Sequence, residues 1–268
     1  MLGTQKVLSA EATLRNINYY WRLLATGLSF TLFGVGGVVI PALAVPVLYA
    51  LPGSKADKQI KARKLVHYTF KLFIRFMQGV GILSWETNGL EKLNRRGLLI
   101  LANHPTLLDV VFLVSLIPNV NCIVKNRLLR NPAMKGFVSL TGYITNDQGE
   151  ALILGAAQSL SEGSCLLIFP EGTRTRAGAP LSFQRGAANI AVRTPVDITP
   201  IRVKCQPATL SKEHRWYNIP ERPFKMSFNV EDDIKIEPYL TSNATLAARQ
   251  LTRDLEQYFT EDAKSDEH

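Results

Sequence analysis

The sequence predicts a layered α/β domain, with a mostly parallel sheet flanked by helices, that follows an N-terminal membrane-embedded helical segment. Two observations predict it. Short apolar runs with the length of buried strands alternate with stretches of helical spacing, a pattern typical of a parallel sheet. A long stretch, residues 23–54, contains no charged side chain. The strand-like runs are 98–102, 121–124, 142–145, 165–169, 198–204 and 225–230, and the helical stretches include 106–117, 151–161 and 184–193.

The uncharged stretch 23–54 is long enough to cross a bilayer, because about 20 apolar residues suffice. Three glycines lie near its middle, and Pro41 and Pro46 follow them. These residues leave two arrangements open: one kinked span, or two short helices that fold back into one leaflet. Basic residues flank the stretch on both sides, and we favour the hairpin because it keeps both groups on the cytoplasmic side. Residues 1–60 are therefore predicted as the membrane-embedded segment and 61–268 as the second domain.

Residues 60–83 have the pattern of a basic amphipathic helix. Leu65, Tyr68, Leu72 and Phe76 recur at helical spacing, with lysines and arginines between them. Such a helix can lie on an anionic membrane surface, where each basic residue contributes about 1 kcal/mol. An ordinary surface helix packed on the core has the same pattern, so both interpretations stay open.

His104 and Asp109 form the first candidate site. His104 follows the strand-like run 98–102, and the carboxyl end of such a strand is the usual position for chemistry in an α/β sheet. Asp109 is the one charge in the helical stretch 106–117, where a carboxylate needs a partner. A carboxylate bonded to one ring nitrogen leaves the other free to accept a proton from a hydroxyl. The alternative is a loop histidine beside an aspartate that only favours the start of a helix.

A second candidate site follows the strand-like run 165–169. The turn 170–176 contains a glycine, hydroxyl groups and two arginines. Gly172 allows the backbone to approach a ligand, Thr173 offers a hydroxyl, and Arg174 can bind phosphate oxygens in a fork. This combination predicts anion binding, and its alternative is a solvated basic turn.

Composition limits the other classes of function. The net charge of +9 favours anionic partners such as phosphates or lipid headgroups. Nucleic acid is not expected, because no zinc spacing, recognition-helix pattern or aromatic platform accompanies the charge. Cys122, Cys165 and Cys205 are widely spaced in apolar runs, which predicts reduced core residues rather than a disulfide framework or a metal site.

These motifs resemble those of the glycerolipid acyltransferases, the family that includes bacterial 1-acyl-sn-glycerol-3-phosphate acyltransferases. Residues 103–109 are similar to the family's first block, and residues 169–174 are similar to its third. Between them, 125–129 with Pro132 and Gly136 resembles the family's lysine-bearing segment. Residues 183–188 and 194–201 resemble its last block, so the resemblance covers roughly residues 97–203.

The resemblance implies a glycerolphosphate-acyltransferase-like fold, with residues 61–268 as the catalytic domain. It implies an enzyme on the cytoplasmic face of the inner membrane that moves an acyl group from acyl-CoA or acyl-carrier protein to the hydroxyl of a lysolipid. His104 would act as general base and Asp109 would orient it, without a metal or cofactor. The implied acceptor-site residues are Glu171, Gly172, Thr173 and Arg174, with Lys125 and Arg127 as candidates for phosphate contacts.

One position departs from the family pattern. The family's second block carries an arginine that helps to hold the acceptor's phosphate, and Asp147 stands there in this chain. An anion at that position repels a phosphate. The departure favours an acceptor other than lysophosphatidate, such as an amino-acid lipid, another lysophospholipid or a secondary-metabolite lipid. A catalytically silent membrane adaptor is a third hypothesis, and it would tolerate loss of His104.

Overall fold

The architecture comes from a computed structural model, which describes residues 2–130, 132–146, 149–175, 180–240 and 243–265. The α-helices within these ranges are α1 (Leu2–Ala50), α2 (Lys55–Gly79), α3 (Asp109–Leu116), α4 (Pro132–Thr141), α5 (Gly149–Ser161), α6 (Gly186–Arg193) and α7 (Ala244–Ser265). The strands are β1 (Leu83–Asn88), β2 (Leu99–Ala102), β3 (Val120–Val124), β4 (Ile144–Thr145), β5 (Cys165–Ile168), β6 (Ile198–Gln206) and β7 (Phe224–Val230). Short 3-10 turns lie at Leu90–Leu93, Asn126–Arg130 and Glu237–Tyr239.

The described strands form one sheet in the order β1-β7-β6-β2-β5-β3-β4. The five strands from β6 to β4 run parallel to one another. β7 is antiparallel to β6, and β1 is parallel to β7. The predicted layered, mostly parallel α/β fold is therefore confirmed, with an added reversed pair of strands at one edge. Strand β1 is the element that the apolar runs did not predict, because polar residues alternate along it.

Alternate residues of the central strands supply two apolar layers, as the pleat requires. On one face, Ile100 and Leu167 pack in a cluster that also holds residues of α1, α2 and α3. On the other face, Leu99 and Leu166 pack with residues of α5, α6 and α7. The helices thus cover both faces, which explains why β2 and β5 read as continuous apolar runs.

Helix α1 differs from the favoured hairpin. Residues 2–50 form one continuous helix that includes Pro41 and Pro46, and the chain reverses only at residues 51–54. A continuous helix keeps most backbone groups bonded within an apolar segment, although Pro41 and Pro46 each lack the N–H that would donate one turn back. Ala25, Phe30 and Phe33 belong to the core or pack against it, so α1 lies along the globular domain.

The close approach of α1 and α4 depends on a glycine. A Cβ atom on Gly136 of α4 would lie 2.6 Å from the Cβ of Pro41 on α1. Any larger residue at position 136 would push the two helices apart. Residues 16–50 of α1 are long and apolar enough to cross a membrane, and several of their large side chains face outward: Leu24, Leu28, Leu32, Val35, Leu43 and Val47.

Helix α2 starts five residues before the predicted amphipathic helix. Ser54 accepts from the backbone N–H of Asp57, and the Asp57 carboxylate accepts from the backbone N–H of Ser54. This reciprocal capping box fixes the start of α2. Val66, Ile74 and Met77 are buried in the core, whereas Tyr68 and Leu72 on the opposite side are exposed.

Residues 207–223 connect β6 to β7, and we call them the strap. The strap contains no regular helix or strand. Leu210 in the strap has a φ of +52°, a strained conformation for a leucine. The backbone N–H of Leu107 donates to the Leu210 carbonyl at 3.0 Å, so the strap lies against the segment that follows β2.

Candidate active site

The end of β2 presents His104 because the preceding residue anchors the chain. The Asn103 side chain donates to the Val203 carbonyl at 2.8 Å and accepts from the Val203 N–H at 2.7 Å. Its amide therefore extends the pairing of β2 with β6 by side-chain bonds, while the backbone turns away from the sheet. His104 follows at the carboxyl edge of the strand, as predicted.

His104 and Asp109 contact each other directly. The Nδ1 atom of His104 lies 2.8 Å from a carboxylate oxygen of Asp109, whose side chain is fully buried. Thr106 donates to the same carboxylate through its backbone N–H at 2.7 Å and its hydroxyl at 2.6 Å. These bonds also explain why α3 begins at Asp109 rather than at Thr106, where the helical pattern starts.

Burial raises the pKa of Asp109, and the hydrogen bonds from His104 and Thr106 oppose that rise. With Nδ1 engaged by an acceptor, the Nε2 atom of His104 can receive a proton from a hydroxyl. The ring stacks on Phe169 with 4.4 Å between the centroids, so its orientation is fixed from two sides. The arrangement is that of a general base with an orienting carboxylate.

Glu171 connects the two candidate motifs. One oxygen of its carboxylate accepts from the backbone N–H of His104 at 2.9 Å and from the Thr175 hydroxyl at 2.9 Å. Burial raises the pKa of Glu171, and these two bonds oppose the rise. Gly172 follows in the left-handed region, with a φ of +63°. The carboxylate thus holds the histidine segment and the glycine turn together.

A cavity of about 590 Å³ opens beside His104. Helices α1 and α2 form one wall of it, mainly with phenylalanine side chains, and the strap contributes another. Of the predicted site residues, those that line the cavity are His104, Lys125, Arg127, Gly172, Thr173 and Arg174. Asp109 and Glu171 are buried behind this lining. The structure therefore brings both motifs and the lysine-bearing segment to one cavity.

Arg174 is already engaged with the strap. Its Nη1 atom donates to the carbonyls of Leu210 at 2.9 Å and Ser211 at 2.8 Å. One nitrogen of the guanidinium thus holds the strap against the glycine turn. Asp147, on which the acceptor hypothesis rests, lies outside the described residues, as does Arg176.

Sequence reasoning missed two cations that line the cavity. Arg22 reaches it from α1, and Lys212 reaches it from the strap. Neither residue belongs to a recognisable motif, and the only local signal was that Arg22 is the last charge before the uncharged stretch. Within the described ranges, no group of three or more His, Cys, Asp and Glu side chains is arranged to hold a metal ion.

Comparison with known proteins agrees with this geometry. Residues 84–204 match the family model described as Acyltransferase. The resemblance to the glycerolipid acyltransferases is thereby confirmed. The acyltransferase region contains both candidate motifs and the lysine-bearing segment, and it ends within β6. Residues 2–83 and the whole strap lie outside it.

Several similar proteins carry one name. A 1-acyl-sn-glycerol-3-phosphate acyltransferase of Helicobacter pylori is 34% identical over 110 residues, which are 38% of this chain and 46% of that protein. A protein of the same name from Pseudomonas aeruginosa is 28% identical over 125 residues, which are 44% of this chain and 49% of that protein. The chain thus spans about half the length of these relatives.

A solved structure shares the fold of most of this chain. The crystal structure of the 1-acyl-sn-glycerophosphate acyltransferase PlsC from Thermotoga maritima aligns with a TM-score of 0.65 and 19% sequence identity. The alignment covers 90% of this chain and 97% of that one. The likeness therefore includes helices outside residues 84–204. At this sequence identity it supports the fold alone.

Proposed function

We propose that the protein is a membrane-bound O-acyltransferase that moves a fatty acyl group from an acyl thioester to the hydroxyl of a lysolipid such as 1-acylglycerol-3-phosphate. The observation that carries the proposal is the His104–Asp109 pair, whose histidine lines a largely apolar cavity that is also lined by cations. An acyl chain fits the phenylalanine-rich wall, and phosphate groups fit the cations. The names of the similar proteins support the same chemistry.

In the proposed mechanism, His104 Nε2 takes the proton of the acceptor hydroxyl as its oxygen attacks the thioester carbonyl. The new C–O bond forms, the C–S bond breaks, and the thiolate that leaves receives the proton from the imidazolium. Asp109 keeps the ring in the required tautomer and stabilises the positive charge in between. The acyl group passes directly to the acceptor, without an acyl-enzyme.

The binding roles follow from position. Gly172, Thr173 and Arg174 line the cavity next to His104, so we assign them to the acceptor. Lys125 and Arg127 follow β3 and also line the cavity. We assign them to phosphate groups of either substrate. Glu171 supports the acceptor site from behind, through its bonds to His104 and Thr175.

We propose that α1 lies in the membrane plane with its outer apolar face in the lipid. It packs along the domain, so a membrane-crossing direction would carry the domain into the bilayer. On α2, exposed Tyr68 and Leu72 alternate with basic Lys71 and Arg75, which suits an anionic surface. Residues 1–60 then serve as the membrane segment and 61–268 as the catalytic domain, on the cytoplasmic face of the inner membrane.

The acceptor is the part of the proposal with a specific competitor. Asp147 replaces a phosphate-binding arginine of the family, which favours an acceptor without a phosphomonoester. The cations on the cavity rim favour a phosphate. The test compares both classes in one assay.

Purified protein in anionic vesicles is given radiolabelled acyl-CoA or acyl-carrier protein and a panel of lysolipids. We expect acyl transfer to at least one lysolipid hydroxyl, and the preferred acceptor decides between lysophosphatidate and the other classes. A folded, vesicle-bound protein that acylates none of the panel with either donor would contradict the enzyme proposal and favour the membrane adaptor.

The membrane proposal is tested by flotation with the same vesicles. Leu24→Glu/Leu28→Glu changes two exposed side chains of α1 and should move the protein out of the vesicle fraction, because acidic groups resist transfer into lipid. Leu154→Glu is the matched control, since Leu154 is as exposed as Leu24 but lies on α5. Equal flotation of all three proteins would contradict the assignment of α1 to the membrane.

A further inference from the structure

Arg22 is the buried cation of α1. Its side chain is 4% exposed, although it stands at the edge of a long apolar stretch. Within the described part of the chain no carboxylate forms an ion pair with it. A buried guanidinium without an acid needs other acceptors, and carbonyl oxygens can serve.

The acceptors of Arg22 belong mostly to the strap. Its Nη1 donates to the Pro220 carbonyl at 2.7 Å, and its Nη2 donates to the Glu221 carbonyl at 2.6 Å. Its Nε lies 3.4 Å from the carbonyl of Asn18, one turn back on α1. The planar guanidinium therefore forks onto two successive carbonyls with one nitrogen for each, whereas an ammonium group has a single nitrogen.

An aromatic contact accompanies this fork. The Trp216 ring of the strap lies 6.2 Å from the Phe30 ring of α1, between centroids, and a Cβ on Gly27 would lie 3.5 Å from Trp216. The strap is thus fastened to α1 at Trp216 and at residues 220–221. Its residues that line the cavity are Thr209, Leu210, Lys212, Trp216, Ile219 and Pro220.

The opposite end of the strap contacts the proposed catalytic machinery. Arg174 donates to the carbonyls of Leu210 and Ser211, and the Leu107 N–H donates to the same Leu210 carbonyl. Leu107 lies three residues from His104. The strap therefore extends from α1 to the segment that carries the base, and its two ends are held by two arginine guanidiniums.

We propose that Arg22 is a positioning residue that holds the strap as a wall of the cavity, and thereby couples the seating of α1 to the acyltransferase site. The expected effect on acyl transfer rests on the proposed function. The hold of Arg22 on the strap does not depend on that function. Without Arg22, the carbonyls of residues 220 and 221 lose these donors, and that end of the strap keeps the contact of Trp216, while Arg174 and the Leu107 N–H still hold the other end.

The test measures hydrogen exchange of the strap and acyl transfer in Arg22→Ala and Arg22→Lys. Trp21→Phe is the matched control, because Trp21 Nε1 fastens α1 to the Val80 carbonyl at 2.9 Å, away from the strap. We expect Arg22→Ala to speed exchange over residues 207–223 and to lower kcat/KM, each by about tenfold or more. Trp21→Phe should change both by less than about twofold.

Arg22→Lys separates the fork from the charge, and it also serves if Arg22→Ala does not fold. Lysine keeps the positive charge but replaces the rigid two-nitrogen fork with one nitrogen on a flexible stem, so strap exchange should stay faster than in the wild-type protein. A wild-type rate of strap exchange in Arg22→Lys would overturn the proposal. A lowered kcat/KM with unchanged strap exchange in either variant would also overturn it, because that result would mean that Arg22 contacts the substrate directly. If the wild-type protein transfers no acyl group, the proposed function fails, and the exchange measurement still decides on the fork.

Discussion

Charged side chains gather at both ends of the sheet, and the two groups are held in different ways. At the amino ends of the parallel strands, Arg95 forks onto Asp233 at 2.6 and 2.9 Å, and Lys235 contacts Asp197 at 2.8 Å. At the carboxyl ends, Arg174 donates to backbone carbonyls, and Arg22 does the same through the strap. The cations at the amino ends are paired with carboxylates, whereas those at the carboxyl ends are bonded to uncharged carbonyls.

This difference in the partners of the cations indicates where an anionic ligand can bind. A cation that already faces a carboxylate has little to gain from a phosphate, whereas one bonded to carbonyls still attracts an anion. The pair at the carboxyl end, His104 and Asp109, borders the apolar cavity and is poised for proton transfer. We therefore read the amino end as structural and the carboxyl end as the site of chemistry.

Asp109→Asn should have the largest effect among the tests of this comparison. The Asp109 oxygen that contacts His104 also accepts from the Thr106 N–H, and the other oxygen accepts from the Thr106 hydroxyl. An asparagine in its place carries no negative charge to stabilise the imidazolium, so acyl transfer should fall roughly 10²- to 10⁴-fold. Asp233→Asn makes the same chemical change at the amino end and should leave kcat/KM unchanged. Equal losses in both variants would contradict the division of the two ends.

Lys125→Ala and Arg127→Ala should have an intermediate effect. Each removes a cation from the cavity rim, and loss of one charge-assisted hydrogen bond of about 1.5–3 kcal/mol lowers kcat/KM for a phosphate-bearing substrate about 10- to 100-fold. Added salt should narrow the difference from wild type, because screening weakens the same attraction. Lys92→Ala, which removes a lysine paired with Asp232 at the amino end, is the control. An equally large loss of kcat/KM in Lys92→Ala would mean that the net charge of the protein, rather than a contact in the cavity, is responsible.

Asp233→Asn should have the smallest effect, on stability alone. The hydrogen bond from Arg95 holds the pKa of Asp233 below its ordinary value of 3.8, so the stabilisation is complete above that pH and is lost as the pH falls through the lowered pKa. Because Arg95 is half exposed, the pair contributes about 0.2–1 kcal/mol. Urea unfolding should show this difference at pH 7 and a smaller one near pH 3, and a difference that grows with acidity would contradict the assignment.

The local contacts of the site could be predicted from the sequence. His104, Thr106 and Asp109 lie within six residues, so one turn of chain sets their contacts, and the spacing predicted the pair. The glycine turn after β5 was predicted for the same reason, since Gly172 adopts a positive φ in a short segment. The central strands were predicted because burial on both faces requires continuous apolar runs.

The long-range part could not be read from the chain. Arg22 bonds to carbonyls 198 and 199 positions away, and backbone carbonyls leave no side-chain signature. Asn103 bonds to Val203 across the sheet for a similar reason. The antiparallel pairing of β7 with β6 and the close approach of α1 to Gly136 of α4 are likewise set by tertiary contacts.

His104→Ala tests the central claim most directly, in the acyl-thioester assay with the preferred lysolipid. Removal of the general base should lower kcat by roughly 10²- to 10⁴-fold, while circular dichroism and vesicle binding stay as in the wild-type protein, because Thr106 still donates to both oxygens of buried Asp109. A folded, vesicle-bound His104→Ala protein that transfers acyl groups at the wild-type rate would contradict the account.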